Sequence, residues 1–259
     1  MKKTAARLGQ HFLTNGYYAK VLTDAVAVRT GETIVEVGPG KGALTKHLVA
    51  TGAPVIAIEK DEALAMHLRA ELAGKNVEVR TADVRDFAAP DTAYVVAANI
   101  PYYITGEIIR QFLEAEHQPR AMALLIQKEV AQRIVAPDAK ESLLSLSVKA
   151  FGTPRIVTTV GKGNFNPPPS VDSAIILIDN ISRTHFKNRA EEKKFFEVVR
   201  AGFSSRRKML SSNLGKVFGR ESVAHAFARC GIAQKARAED VPLDTWLLLT
   251  RMLPTGVRR

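Results

Sequence analysis

Val35-Glu36-Val37-Gly38-Pro39-Gly40-Lys41-Gly42-Ala43-Leu44-Thr45 is the stretch that decides the fold of this chain. A short apolar run ends in closely spaced glycines and gives way to a helical pattern, so it reads as a first strand turning into a first helix. Glycine tolerates positive φ, which lets the chain turn sharply and lets a ligand approach the backbone, at the positive end of a helix dipole. Glu59 follows a second apolar run, 21 residues beyond Gly38. A carboxylate in that place accepts hydrogen bonds from ribose hydroxyls in nucleotide-binding sheets. On this physics alone the pair calls for a cofactor that contains a nucleoside; the bland alternative is a glycine turn with a surface glutamate.

The same rhythm extends outward. Apolar runs at Thr33–Val37, Pro54–Ile58, Asn76–Arg80, Ala93–Ala98 and Ala121–Ile126 predict strands. Helical patterns at Gly42–Ala50, Asp61–Ala73, Thr105–Ala115 and Lys128–Val135 fill the gaps. Short continuous apolar strands alternating with helices predict a parallel sheet covered on both faces. After a helix near Leu143–Phe151, two further strands, Arg155–Val160 and Ser173–Ile178, end the sheet as an antiparallel pair around the loop Asn164–Ser170. Beyond Asp179 the pattern is helical throughout: Glu192–Phe203, Arg206–Lys216, Glu221–Cys230 and Leu243–Met252. The expected fold is therefore α/β, a Rossmann-like seven-stranded, mostly parallel sheet over residues 1–180, with a small all-α domain over 181–259. Phe195, Phe196, Val199 and Phe203 are spaced as the core of the first tail helix.

Charge follows the same division. Residues 1–180 carry 20 Lys+Arg against 19 Asp+Glu, whereas residues 181–259 carry 17 against 7. A near-neutral body with a basic tail suits a polyanionic partner held by one end, or equally a solvated basic surface, and charge alone does not separate RNA from DNA or an acidic membrane. The one cysteine, Cys230, excludes an internal disulfide and a cysteine metal cluster. No signal peptide and no run of about 18 apolar residues is present, so the reading is cytoplasmic, with no membrane. A monomer is the default expectation.

The glycines run G-x-G-x-G, not the G-x-G-x-x-G of dinucleotide enzymes, with a proline between the first two. E-x-G-x-G-x-G resembles the first motif of class I methyltransferases, which implies S-adenosylmethionine. That cofactor has no pyrophosphate; Gly38 and Gly40 would border it, its carboxylate can use the helix N-terminus and its ribose can use Glu59. In such enzymes an acid after the third strand meets the adenine amine, so Asp83 and its neighbour Val84 are candidates, although a lone acid there is as easily a helix cap.

Asn99-Ile100-Pro101-Tyr102 follows the fourth strand and is the most specific short motif in the chain. The exocyclic amine of adenine is a weak nucleophile because its lone pair is delocalised into the ring. An Asn99 amide oxygen and the Ile100 carbonyl could accept its two N–H groups and aim the nitrogen lone pair at a sulfonium methyl, by positioning and electrostatics. Pro101 stiffens the turn, and Tyr102 offers a face for a base. No metal is called for. Phe165, ahead of Pro167-Pro168-Pro169, is a candidate second face for a base taken out of its stack, though such a phenylalanine is more often core packing.

Together these residues resemble the ribosomal RNA adenine N6,N6-dimethyltransferases, and within them the bacterial KsgA (RsmA) type. The likeness covers nearly the whole chain. It starts at Gly9-Gln10-His11-Phe12-Leu13, similar to the family's GQ-x-F-L opening, and includes the Phe165-x-Pro167-x-Pro169-x-Val171-Asp172-Ser173 element. The resemblance implies cofactor contacts from Gln10, His11, Leu13, Gly38, Glu59, Asp83 and Asn99, with Tyr102 and Phe165 about the target base. Arg206-Arg207-Lys208-Met209-Leu210, then Asn213-Leu214, is similar to the F-x-x-R-R-K-T-L…N-L segment of the KsgA type, with Met209 where threonine is commoner. Relatives that modify large-subunit RNA lack that run. The resemblance thus implies the small ribosomal subunit and its 16S rRNA as partner, two adjacent adenines of the 3′-terminal hairpin as targets, and a role in subunit assembly. Arg206, Arg207, Lys208, Lys216 and Arg220 are the candidate RNA contacts, expected on one helical face. The rival readings are an adenine methyltransferase for large-subunit RNA or DNA, an assembly factor that acts mainly by binding, and a nicotinamide-dependent dehydrogenase, which would leave Asn99–Tyr102 unexplained.

Overall fold

The computed structural model describes residues 11–136 and 138–254. A short strand β1 (Phe12–Leu13) leads into α1 (Gly16–Val26), whose first turn is capped by the Asn15 side chain accepting from the Tyr17 N–H. Then come β2 (Thr33–Val37), α2 (Thr45–Val49), β3 (Val55–Glu59), α3 (Glu62–Glu71) and β4 (Val77–Thr81). These are followed by β5 (Tyr94–Asn99), α4 (Thr105–Glu114), β6 (Met122–Gln127), α5 (Lys128–Val135), α6 (Leu143–Lys149) and β7 (Thr153–Val160). Two more strands, β8 (Phe165–Asn166) and β9 (Ser173–Asp179), precede the helical tail α7 (Arg189–Gly202), α8 (Leu210–Phe218), α9 (Arg220–Cys230) and α10 (Leu243–Met252).

Seven strands form one sheet in the order β4-β3-β2-β5-β6-β9-β7. The first five are parallel, and β9 lies antiparallel between β6 and β7. The mostly parallel α/β architecture expected from the alternating pattern is what the chain forms. Strand β5 shows why both faces had to be covered. Val95 and Ala97 join the apolar cluster with Leu22 and Val26 of α1 and Leu48 of α2. Tyr94 instead sets its ring 6.5 Å from Phe112 of α4. A strand buried on both sides cannot alternate apolar with polar, and Tyr94–Ala98 are all buried.

The helix after the glycine loop, α2, is shorter than the sequence pattern predicts. Gly42 has φ +76°, outside the right-handed helical region, and a Cβ there would lie 2.5 Å from Leu68. The chain therefore stays irregular through the glycines, and α2 begins only at Thr45.

The chain divides into two compact units. One comprises the described residues up to Gln132 together with Gly152–Ser182; the other comprises Arg133–Phe151 together with the described residues from Arg183. A contiguous split at residue 180 thus misplaces the segment holding α6. The cause is aromatic: the Phe151 ring lies 5.7 Å from Phe186 and 5.7 Å from Phe196, and Phe186 lies 5.4 Å from Phe195, one buried cluster drawn from both stretches of this unit. No helix among the described residues is long and apolar enough to cross a membrane.

Candidate active site

The strand order reverses between β2 and β5, and ligands of open parallel sheets sit at the carboxyl ends of the strands at such a switch. Gly38 follows β2, Glu59 ends β3, Asp83 follows β4 and Asn99 ends β5. Two clefts open there. The first is lined by Gly38, Glu59, Lys60, Asp83, Val84 and Arg85, with Ile58, Pro101, Tyr103 and Ile104 around them. The second is lined by His11, Phe12, Gly40, Asn99 and Tyr102, with Ile100. Gly38 and Pro101 border both.

In the first cleft Glu59 is buried, and its carboxylate is fixed at both oxygens. Oε2 accepts from the Gly40 N–H at 3.0 Å and Oε1 from the Asp61 N–H at 2.9 Å. Burial raises its pKa against the pull of those bonds. The Lys60 N–H also acts on the carboxylate, which is left with acceptor capacity for a ribose hydroxyl. Asp83 is held well below the ordinary aspartate range, chiefly by hydrogen bonds from the side chains of Arg85 and Lys60. Val84 is buried beside it as an apolar wall.

The helix end offers less to a cofactor carboxylate than expected, and the glycine N–H groups are already engaged. Gly38 N–H goes to the Ile58 carbonyl, Gly40 N–H to Glu59, and Gly42 N–H to the Pro39 carbonyl. Two are used by β3 and the third within the loop, and the five-residue α2 adds little dipole. What the missing Cβ of Gly40 permits is close packing: the residue has φ +56°, and a Cβ on it would stand 2.8 Å from the Phe12 ring.

The second cleft depends on residues far apart in sequence. β1 pairs antiparallel with β8, matching Phe12 to Asn166 and Leu13 to Phe165. His11 Nδ1 lies 2.8 Å from the Pro167 carbonyl, which can only accept, so that nitrogen carries the proton. Asn99 Nδ2 donates to the His11 carbonyl at 3.0 Å. Because a carbonyl cannot donate, this bond also fixes the amide's orientation and leaves Oδ1 without a partner among the described residues. Tyr102 is stacked on His11 with ring centroids 5.6 Å apart, and its hydroxyl lies 2.7 Å from Ser173 Oγ.

Two candidates are placed elsewhere. Phe165 is 4% exposed and Leu13 6%, both inside the apolar cluster with Ala19, Leu22 and Val160, and neither lines a cleft. The pairing explains it: residues directly opposite on two strands share a face, and the Leu13–Phe165 face points into the core. His11, not Phe165, is the ring that adjoins Tyr102 in this structure. Gln10 lies outside the described residues. Phe12, Lys60, Arg85 and Tyr103 were not singled out by sequence. Only their adjacency to motif residues hinted at them.

The tail residues also differ in placement. Arg206, Arg207 and Lys208 are exposed but lie on the turn before α8, so they do not share a helical face with Lys216. The turn is held by Asn213, whose Nδ2 donates to the Gly202 and Ser205 carbonyls. Met209, exposed, is the N-cap of α8 and makes no side-chain cap. Lys216 and Arg220 border a separate hollow with Ser211, Ser212 and Gln234. Among the described residues no group of three or more His, Cys, Asp or Glu could hold a metal ion.

A family profile described as ribosomal RNA adenine dimethylase matches residues 1–254. A protein of Dehalococcoides mccartyi named ribosomal RNA small subunit methyltransferase A is 39% identical, covering 93% of this chain and 86% of its own length. A Synechocystis protein of the same name is 33% identical over 96% of both chains. Among solved structures, the 23S rRNA methyltransferase ErmE aligns with TM-score 0.78 and 27% identity, covering 93% of this chain and 99% of its own. A dimethyladenosine transferase from Plasmodium falciparum aligns with TM-score 0.81 over 92% of this chain and 96% of its own; at 23% identity it speaks for the fold alone. The profile match over residues 1–254 and the relatives at 33–39% identity over most of their length place the chain in the ribosomal RNA adenine dimethylase family.

Proposed function

We propose that the protein dimethylates the N6 amine of two adjacent adenines in the 3′-terminal hairpin of small-subunit 16S rRNA, using S-adenosylmethionine, as a step in small-subunit biogenesis. The observation that carries this reading is the Asn99 amide. Its nitrogen is anchored to the His11 carbonyl, so Oδ1 is left as an acceptor in the second cleft, which meets the first at Gly38 and Pro101.

The first cleft suits an adenosyl cofactor. Glu59 has acceptor capacity for a ribose hydroxyl, Asp83 is an ionised acceptor for the adenine amine, and Val84 and Ile104 offer apolar walls for the ring. Gly40, lacking a Cβ, lets the Phe12 ring close in on the loop backbone beside the cleft. S-adenosylmethionine, when bound, supplies the electrophilic methyl group. Asn99 Oδ1 and the Ile100 carbonyl would accept the two N–H groups of the target amine, drawing its nitrogen toward a tetrahedral form with the lone pair directed at the junction of the clefts. Tyr102, backed by His11 and tied to Ser173, would stack on the extruded base. The small-subunit preference is supported by the exposed Arg206-Arg207-Lys208 turn, and by the names of the curated relatives.

The test is transfer of labelled methyl groups from S-adenosylmethionine to small subunits that lack N6-dimethyladenine, with the modified positions mapped by mass spectrometry. Two adjacent dimethylated adenines near the 3′ end are expected. Label reaching only large-subunit RNA or duplex DNA, or cofactor binding with no transfer to any RNA, would overturn the assignment.

A further inference from the structure

Asp83, to which the proposed function gives the cofactor's adenine amine, is already surrounded. Oδ1 accepts from the Arg85 backbone N–H at 3.1 Å and from Arg85 Nε at 2.9 Å. Oδ2 accepts from Arg85 Nη2 at 2.6 Å and from Lys60 Nζ at 2.9 Å. An ionised carboxylate offers about four acceptor positions, so every one is in use. The backbone bond belongs to the turn Val84–Asp86 and closes it locally. The other three come from side chains that are 51% exposed for Arg85 and 63% for Lys60, against 18% for Asp83. Both cations line the nucleoside cleft. A neutral amine forms a weaker bond to a carboxylate than a guanidinium fork does, so it cannot simply be added to a full shell; a donor must leave. Lys60 supplies one bond and the Arg85 guanidinium a bidentate pair, so removing the guanidinium opens one acceptor position on each oxygen at once.

We infer that the Arg85 side chain is a built-in competitor for the adenine subsite: it occupies Asp83 when no adenosyl group is bound and swings out to admit the amine, thereby setting how tightly the cleft holds its cofactor. The inference rests on the reading of Asp83 as the adenine acceptor. Arg85 is thus a specificity-determining residue that acts through Asp83. It also biases the choice of base. A purine carrying a carbonyl at the same position would accept from Arg85 where it could not pair with Asp83.

Isothermal titration of the full chain with S-adenosylhomocysteine and with S-inosylhomocysteine tests this without any methyl transfer. Exposed ion pairs are weak, so Arg85→Met should bind S-adenosylhomocysteine a few-fold more tightly than the wild type. The same variant should bind S-inosylhomocysteine no better, so that the preference for the amine widens. Raising KCl should tighten wild-type binding of S-adenosylhomocysteine by screening the pair, and should do so less for Arg85→Met, which keeps only the Lys60 pair. Arg85→Met binding that is equal to or weaker than wild type would overturn the inference and make Arg85 a support for Asp83. Asp83→Asn separates the two claims. If it binds S-adenosylhomocysteine as tightly as the wild type, Asp83 is not the adenine acceptor and the underlying reading falls; if it weakens binding while Arg85→Met does not strengthen it, only the competitor role falls.

Discussion

Replacing Glu36 by glutamine should stabilise the protein, and more so as the pH rises. Glu36 lies in the middle of the parallel sheet on β2, 1% exposed, and burial pushes its carboxyl up to about 8 from an ordinary 4.5. Its Oε2 and the neighbouring Thr45 Oγ1 are both buried without a hydrogen-bond partner. Below pH 4.5 the group is protonated whether the chain is folded or not. Between 4.5 and about 8 the unfolded chain has released the proton and the folded chain has kept it, so stability falls as pH rises, by about 1.4 kcal/mol per pH unit. Above about 8 both states are ionised and the loss is complete. From pH 5.5 to 7.5 the loss is about 2 to 3 kcal/mol, a sizeable part of a typical total of about 5–15 kcal/mol. Glu59, also raised by burial, adds a slope of the same sign. Carboxylates held low, such as Glu32 beside Arg120, are already ionised in both states across this window and add none. Glu36→Gln keeps the shape, carries no charge, and can donate to Thr45. Urea denaturation followed by far-UV circular dichroism should give curves for the two proteins that converge near pH 5 and separate by a few kcal/mol near pH 8. Parallel pH dependences from pH 5.5 to 7.5, or a variant less stable than wild type at pH 8, would refute the reasoning.

Asn99→Ala should lower methyl transfer at least 100-fold, the order seen when one preorganised transition-state hydrogen-bonding group is lost, while S-adenosylhomocysteine affinity changes only a few-fold; single-turnover kinetics and calorimetry separate the two. Gly40→Ala sets a Cβ 2.8 Å from the Phe12 ring at φ +56°, so it should cost about 1–2 kcal/mol in backbone strain and weaken S-adenosylhomocysteine binding, as read by urea denaturation and calorimetry. Met209→Thr gives α8 the side-chain cap it lacks, with the hydroxyl placed to accept from the Ser211 or Ser212 N–H; a gain of about 1 kcal/mol in the urea denaturation of the helical unit is expected. Arg206, Arg207 and Lys208 changed together to Ala should weaken binding to small subunits and reduce its slope against salt by about 3, measured by filter binding from 50 to 300 mM KCl.

Much of the fold was legible in the sequence because it rests on local signals. Five apolar runs too short for helices, four of them followed by a helical period, already imply a parallel sheet buried on both faces. Gly38, Glu59, Asp83 and Asn99 could be picked out because each sits where a strand ends, and strand ends of one parallel sheet converge whatever the intervening sequence does. The misplacements are those that periodicity cannot reveal. A two-residue strand such as Phe12–Leu13 has no period, so its pairing with Phe165–Asn166, about 150 residues on, is invisible until the chain is folded. That pairing alone turned Leu13 and Phe165 inward and put His11 beside Tyr102. The glycine turn was legible, but the partners of the Gly38 and Gly40 N–H groups, the Ile58 carbonyl and the Glu59 carboxylate, come from the next strand and were not. Likewise, helical periodicity carried Arg206 into a helix, whereas the Asn213 side chain holds the turn that ends α7 and delays α8. Phe151 joined the helical unit because its partners are aromatic rings beyond residue 183. Sequence determined which residues stand at strand ends, since a strand's burial pattern is local; tertiary structure decided which donors and faces remain available there, since those depend on contacts between segments that no short-range pattern encodes.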